Sequence, residues 1–170
     1  MKKRSTSPQI VTLLKILDQA FDHRAWHGTN LRGSLRGLSA RDAAWRPRTG
    51  RHNIWELMLH CAYWKYCARR LLLGEKRGAF PMKGSNFWVR PQQGSVVADT
   101  DWNEAVALLE SQHRQLRSAV AGFPAARLQR RASPRGWTYF QTIAGIASHD
   151  LYHAGQIQLL KRLLRTKRQS

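Results

Sequence analysis

The sequence predicts an all-α protein that folds as a four-helix bundle, with one long connection between its second and third long helices. Two observations favour this fold class. Apolar residues recur at helical spacing in four long segments, and no segment alternates apolar and polar residues as a half-buried strand does. The chain has 170 residues, of which 42% are hydrophobic, and this is enough for one domain with its own core. We expect a single domain over residues 1–170, with a core from about 8 to 165 and basic termini.

The first long helix is predicted over about residues 8–24. Ser7 is a suitable N-cap. Pro8 fits the first helical position, because the N–H that proline lacks would be unpaired there. The apolar stripe of this helix consists of Ile10, Leu13, Leu14, Leu17 and Phe21.

Two short helical turns are predicted before the second long helix. Gly28 can end or bend the first helix, and Thr29 or Asn30 can cap a turn that reaches Leu35. Another short turn is expected over residues 39–45, with Ser39 at its start.

The second long helix is predicted over residues 54–73. Asn53 and Glu56 are spaced as a capping box, and Gly74 is a natural residue to follow a helix. Along one stripe it carries Leu57, His60, Trp64, Cys67 and Leu71. Residues 74–98 show no clear periodicity and form the long connection. Their aromatic residues indicate that the connection packs over the bundle, namely Phe80, Phe87 and Trp88.

The third and fourth long helices are predicted over residues 102–121 and 139–165. Asp101 and Glu104 suit the start of the third, since acidic side chains favour the positive end of the helix dipole. Thr138 and Gln141 form a capping box at the start of the fourth. The apolar stripe of the fourth helix consists of Ile143, Ile146, Ile157, Leu160 and Leu164, and it also passes through Asp150 and His153.

A histidine pair on the fourth helix is the strongest chemical signal in the sequence. His149 and His153 are four residues apart, so their imidazoles lie one above the other on the same helix face. His60 lies in the middle of the second helix. Three histidines from two helices would leave coordination positions open, as catalytic metal sites do. Nitrogen ligands suit zinc, nickel, iron or copper, so the pattern does not select one ion.

Two further residues are candidates for a role in catalysis. Asp150 could orient a ligand histidine by accepting its second ring proton, or it could pair with an arginine. Gln156 lies one turn after His153 on the same side and could contact the substrate or a bound water. Glu56 precedes His60 by one turn, and capping is its expected role.

The other histidines, the cysteines and the tryptophans are expected to be structural. A structural role is expected for His27, and surface or capping positions for His52 and His113. Cys61 and Cys67 are six residues apart and point to different sides of one helix, which predicts packed thiols without a disulfide. The tryptophans considered for the core, any of which could instead line a pocket, are Trp26, Trp55, Trp64 and Trp137.

The net charge of +19 indicates attraction to anionic partners, although we do not favour nucleic acid as the physiological one. No run of 18 apolar residues is present, which predicts no membrane span. The basic N-terminus is followed by an amphipathic segment rather than a signal-peptide core. We therefore expect a cytoplasmic protein.

Three segments resemble the DinB-like family, also called the DinB/YfiT-like metalloenzymes. They are residues 26–28, residues 52–57 together with His60, and residues 149–157, the last being the most specific. They occur in the order of the family, and the resemblance extends from about residue 10 to 163. It implies a four-helix bundle, usually a homodimer, with a divalent ion held by three histidines at positions His60, His149 and His153.

The same resemblance implies the chemistry. Relatives include thiol S-transferases that use bacillithiol and isomerases that use mycothiol, and other members are described as metal-dependent hydrolases. We therefore expect a divalent transition metal such as zinc, nickel or iron, a low-molecular-weight thiol and a small-molecule substrate. Thiol transfer is the first hypothesis and hydrolysis the second. A non-catalytic metal-binding or nucleic-acid-associated protein is the third, because of the unusual charge.

Overall fold

A computed structural model of the chain describes residues 7–76, 78, 80–84, 86–92 and 95–169. Within these ranges the secondary structure is six α-helices and one 3-10 turn, Ala125–Arg127, without a β-strand. The helices are α1 (Pro8–Phe21), α2 (Leu31–Ser34), α3 (Ala40–Ala44), α4 (Ile54–Leu73), α5 (Asp99–Ala121) and α6 (Tyr139–Gln169).

The four long helices form the predicted bundle. Helix α1 packs against α5 and α6, and α4 packs against the same two helices from the other side. The short helices cover this arrangement, α2 against α6 and α3 against α4 and α5. None of the described helices combines the length and the apolar composition that crossing a bilayer requires.

The capping signals in the sequence position the helix starts. Asn53 accepts from the backbone N–H of Glu56 at 2.9 Å, and the Glu56 side chain accepts from the backbone N–H of Asn53 at 3.4 Å. Thr138 and Gln141 make the corresponding pair of bonds at the start of α6. Asn30 caps α2 by accepting from Gly33 N at 2.8 Å. These predictions are confirmed.

Three helix boundaries differ from the prediction. Helix α1 ends at Phe21 rather than near residue 24, because the N–H groups of Asp22 and His23 both bond to the carbonyl of Asp18. Helix α5 begins at Asp99, whose carboxylate accepts from the backbone N–H of Ala40 and so ties α5 to α3. Helix α6 continues to Gln169 instead of ending near residue 165.

A buried polar layer divides the apolar core into two clusters. One cluster includes Trp55, Leu59 and Leu109, and the other includes Leu17 and Leu116. Along α5 and α6, and at Lys65 on α4, the polar layer falls between the members of the two clusters, whereas His60 lies among the α4 members of the first cluster. Its side chains are each at most 7% exposed, and they are His60, Lys65, Gln112, His113, Asp150 and His153.

Several expectations about single side chains need correction. His113 is not a surface or capping residue: it is 4% exposed, and its ring stacks on Phe21 with 3.7 Å between centroids. Trp26 and Trp137 are not in the core: Trp26 is fully exposed and Trp137 is largely exposed, and both lie outside the helices. Trp55 is buried as expected. The predicted absence of a disulfide is confirmed, because Cys61 and Cys67 are both free thiols.

Candidate metal centre

The packing of α4 against α6 brings the three predicted histidines together. Nε2 of His149 lies 3.0 Å from Nε2 of His60 and 3.1 Å from Nε2 of His153. His60 and His153 are buried, while His149 is partly exposed. Three imidazole nitrogens from two helices therefore converge on one point that solvent can approach from the side of His149.

Hydrogen bonds on the outer ring nitrogens fix how two of these rings face the centre. Nδ1 of His60 donates to the backbone carbonyl of Asn86 at 2.9 Å. Nδ1 of His153 donates to Oε1 of Gln156 at 2.7 Å. Because a neutral imidazole carries one N–H, the Nε2 atoms of these two rings present lone pairs.

This arrangement leaves room for a cation. The Nε2 of His149 can supply at most one proton, so at least one of its two close contacts joins two lone pairs. A metal ion at the centre would turn that repulsion into coordination. Two nitrogens bound to one zinc ion at about 2.0–2.1 Å and at the tetrahedral angle lie about 3.3 Å apart, which is close to the separations here.

Electrostatics keeps the three rings in the neutral form that binds metals. Burial, together with the neighbouring imidazoles and Lys65, lowers the pKa of His149 to about 3. Burial also lowers the pKa of His153 to about 4 and lowers that of His60. Ligation requires deprotonated imidazole nitrogens, so no proton has to leave these rings at neutral pH.

A second group of potential ligands, Cys61, His149 and Asp150, lies beneath the histidines with its ligand atoms within 4.8 Å of one another. It fits a metal less well. Oδ2 of Asp150 accepts a hydrogen bond from Nζ of Lys65, and neither side chain is exposed. An ion here would have to displace the Lys65 ammonium, and burial raises the pKa of the Cys61 thiol well above its usual value. The three-histidine group is the better candidate.

The two candidate catalytic residues have different surroundings. Gln156 holds His153 through the hydrogen bond to Nδ1, so its side chain supports a candidate ligand. The partner of Asp150 is a lysine rather than the arginine that we considered, and complete burial keeps its carboxylate away from any substrate. Oδ1 of Asp150 and Nδ1 of His149 are both buried without a hydrogen-bond partner.

Residues 86–92, which we call the strap, cover His60 on the α4 side of the centre. The ring of Phe87 lies between those of His52 and His60, stacked at 3.9 and 4.0 Å. The Arg90 N–H donates to Glu56 Oε1 at 3.1 Å, and the Asn53 amide donates to the Arg90 carbonyl. The capping box of α4 thus also anchors the strap. The expectation that Phe80, Phe87 and Trp88 pack over the bundle is confirmed.

Two residues at the centre were missed in the sequence. Lys65 lies on the face of α4 that also carries Cys61 and Ala68, and a lysine on such an apolar face requires a buried acidic partner. Asn86 has a φ of 68°, and asparagine is one of the few non-glycine residues that adopt this left-handed conformation readily. The residue type at each of these two positions was a signal in the sequence, but only the tertiary structure identifies the partners of Lys65 and Asn86.

Trp64, considered for the core, is partly exposed at 40% beside His60. His27 is exposed, and it is not a member of the histidine cluster. His52 is half-exposed and bonds to Glu56 at 3.0 Å, as a residue next to the cap. The thiol of Cys61 lies close to His149.

Comparison with known proteins agrees with this geometry. The family model of the DinB superfamily matches residues 23–157, which include all three histidines and the strap. Comparisons with curated proteins and with solved structures found no significant match.

Proposed function

This chain belongs to the DinB superfamily, and on that basis we propose that it is a metal-dependent enzyme that activates a thiol, or else water, for attack on a small electrophile. The observation that carries the proposal is that Nε2 of His149 lies 3.0 Å from Nε2 of His60 and 3.1 Å from Nε2 of His153, while the rings of His60 and His153 are oriented through Nδ1. Most histidines that bind a metal through one ring nitrogen donate the N–H of the other ring nitrogen to an oxygen atom.

Each residue of the centre has a distinct part in this proposal. His60, His149 and His153 would hold one divalent ion, with zinc, nickel and iron as the candidates. Such an ion lowers the pKa of a thiol or water molecule that occupies an open coordination position. The Asn86 carbonyl and the Gln156 amide oxygen hold the imidazoles of His60 and His153 so that their Nε2 atoms face the ion.

Thiol transfer is favoured over hydrolysis because the centre lacks an obvious general base. The two carboxylates next to it, Asp150 and Glu56, are both at most 2% exposed and are hydrogen-bonded to Lys65 and Arg46 respectively. A thiol ionises near pH 8.5, whereas water has a pKa of 15.7, so a thiol needs far less help to lose its proton. In the transfer step the sulfur forms a bond to the electrophilic carbon, the leaving group departs with its electron pair, and the thiol proton passes to solvent.

Three further elements of the proposal come from the resemblance and the composition. By likeness to the family we propose a homodimer that acts in the cytoplasm on a small-molecule substrate. Hydrolysis is the second candidate reaction. A non-catalytic role in metal binding or nucleic-acid association is the third candidate, supported by the net charge of +19.

Elemental analysis tests the metal centre first. The protein is purified without a metal-affinity tag, beside His60→Ala, His149→Ala and the exposed control His27→Ala. We expect about one transition metal per chain in the wild type and in His27→Ala, and almost none in the other two variants. A wild type that stays free of metal after reloading with zinc, nickel, iron and copper in turn would overturn the proposal.

A thiol-conjugation assay then tests the reaction. Cysteine and 1-chloro-2,4-dinitrobenzene are the probes, and the rise in absorbance of the thioether is followed as chloride leaves. We expect a metal-dependent rate that His149→Ala abolishes and His27→Ala retains. A loaded centre that cleaves esters or amides but does not accelerate conjugation would favour the hydrolase instead.

A further inference from the structure

Two aromatic side chains flank the metal centre where it faces solvent. The ring centroid of Trp64, on α4, lies 6.2 Å from that of His60 and 6.4 Å from that of His149, in both cases edge to face. The ring of Tyr152, on α6, lies 5.0 Å from that of His153. Trp64 is 40% exposed and Tyr152 is 65% exposed. Each of the three histidine rings therefore contacts at least one partly exposed aromatic ring.

The other sides of the centre are occupied by the protein. The Asn86 carbonyl and the Phe87 ring cover His60, and Gln156 occupies the outer nitrogen of His153. The Lys65–Asp150 pair fills the interior beneath His149. Among the described neighbours of the histidine rings, Trp64 and Tyr152 are the aromatic side chains that a ligand arriving from solvent could contact.

The Trp64 ring is held in place even though solvent reaches it. Its indole N–H donates to Oδ1 of Asn86 at 3.0 Å, and the backbone carbonyl of the same asparagine orients His60. One strap residue thus fixes both a candidate ligand and the aromatic ring beside it. A ring with a fixed orientation loses little freedom when a second ring packs against it, so it is preorganised for binding.

We propose that Trp64 and Tyr152 form an aryl-binding subsite that selects flat aromatic electrophiles over aliphatic ones. The subsite rests on the proposed metal-dependent function, because the ligand that it positions is the one that reacts at the metal. Aromatic pairs favour edge-to-face or offset stacking with centroids 4.5–7 Å apart, which is the spacing that these two rings already keep from the histidines. The ligand ring would replace solvent on the exposed faces of Trp64 and Tyr152.

Imidazole and 4-phenylimidazole test this subsite. Both present the same nitrogen to an open metal position, but only the second carries an aryl ring. The protein is loaded with Co²⁺, the metal per chain is measured, and both ligands are titrated by the change in visible absorbance. The wild type is compared with Trp64→Ala, Trp64→Phe, Tyr152→Ala and Tyr152→Phe.

A matched control is Trp137→Ala. Trp137 is 73% exposed and precedes α6, whose first residue lies about 15 Å from His149 along the helix axis. Removal of the Tyr152 side chain, which is 65% exposed, does not disturb the core, so this variant keeps the test decisive if Trp64→Ala fails to fold.

We expect 4-phenylimidazole to bind the wild type about tenfold more tightly than imidazole. Each alanine variant at Trp64 and Tyr152 should lose most of that preference, while the phenylalanine variants and Trp137→Ala keep it. Imidazole itself should bind all of these proteins with similar affinity.

Four results would overturn the subsite, and they are distinguishable. Equal affinities for the two ligands in a Co²⁺-loaded wild type, or a preference that survives both alanine variants, would remove the subsite and leave the metal centre intact. A protein that binds no Co²⁺ would fail at the proposed function, and the subsite would fall with it. A Tyr152→Ala protein that turns from dimer to monomer in light scattering, with its aryl preference unchanged, would assign the rings to contact with a second copy.

Discussion

Lys65 and Asp150 form an ion pair at the centre of the bundle, and solvent reaches neither side chain. The pair joins α4 to α6 beside the candidate metal ligands, since Asp150 directly follows His149, and the ammonium of Lys65 also lies 5.0 Å from the centroid of the Phe21 ring on α1. Burial raises the pKa of the Asp150 carboxyl, and the ammonium opposes that rise. Each charge is tolerated in the interior only because the other is present.

Removing one member of this pair should destabilise the fold strongly. Lys65→Met or Asp150→Leu leaves the other group buried with its partner lost, which costs about 3–5 kcal/mol. The double variant Lys65→Met/Asp150→Leu should recover most of this loss, since it buries no charge. Denaturant titrations of the four proteins measure the effect. Arg114→Met is the control. The Arg114 side chain is 69% exposed, so its ion pair with Glu110 should contribute less than about 1 kcal/mol to the free energy of unfolding. Additive losses in the double variant would argue against a coupled pair.

Gln156 should determine metal affinity through His153. Gln156→Leu removes the acceptor of the Nδ1 proton, so the His153 ring is no longer held toward the centre. Affinity for Zn²⁺ should fall about 10- to 100-fold, whereas Gln156→Glu, which keeps an acceptor oxygen, should retain it. Competition with a fluorescent chelator measures the dissociation constants. Gln158→Leu is the control, because that side chain bonds to Thr29 instead. An unchanged affinity in Gln156→Leu would show that packing alone orients His153.

The left-handed backbone at Asn86 should also affect metal affinity. Asn86→Gly preserves a φ of 68° without strain and keeps the carbonyl bonded to His60, so Zn²⁺ affinity should stay within about threefold of the wild type. Asn86→Val disfavours that conformation and should weaken binding about tenfold or more. The same chelator competition distinguishes the two. Similar affinities for the glycine and valine variants would mean that the carbonyl does not orient the ligand.

His113 should make the fold sensitive to acid. Burial lowers its pKa from 6.5 to about 3, with nearby Lys65 and Arg117 adding to the shift. Above pH 6.5 the folded and unfolded chains both carry neutral His113. Below pH 6.5 the imidazole of His113 binds a proton in the unfolded chain but stays neutral in the folded chain. The free energy of unfolding therefore falls by a few kcal/mol in all as the pH drops from about 6.5 toward about 3.

His113→Phe should therefore flatten the dependence of stability on pH. The ring keeps its stack on Phe21, but the proton uptake is gone. Denaturant midpoints between pH 7 and pH 4, with both proteins stripped of metal by a chelator, measure the difference. His27→Phe, at an exposed position, should leave the wild-type profile unchanged. Parallel curves for His113→Phe and the wild type would contradict the assignment.

Local signals in the sequence predicted the four long helices and the three histidines that the fold brings together. Capping pairs such as Asn53 and Glu56 act between neighbours in the chain, and the spacing of His149 and His153 is a property of one helix. The distant partners were not accessible in this way. Lys65 meets Asp150 across 85 positions, and His60 meets the Asn86 carbonyl through a loop without periodicity. Such contacts depend on how the helices pack, which a pattern within one segment does not encode.

The strap gives the metal centre a thermodynamic link to an irregular part of the chain. The Asn86 carbonyl is bonded to His60 and the Asn86 amide oxygen to Trp64, so under the proposed function ion binding and the docking of this loop would stabilise each other. At a metal concentration 100 times the dissociation constant, about 2.7 kcal/mol becomes available to the folded form. Part of that free energy would stabilise residues 86–92, which would then show slower amide hydrogen exchange in the presence of the ion. Substitutions in this loop can therefore retune the affinity for the ion while all four long helices stay unchanged.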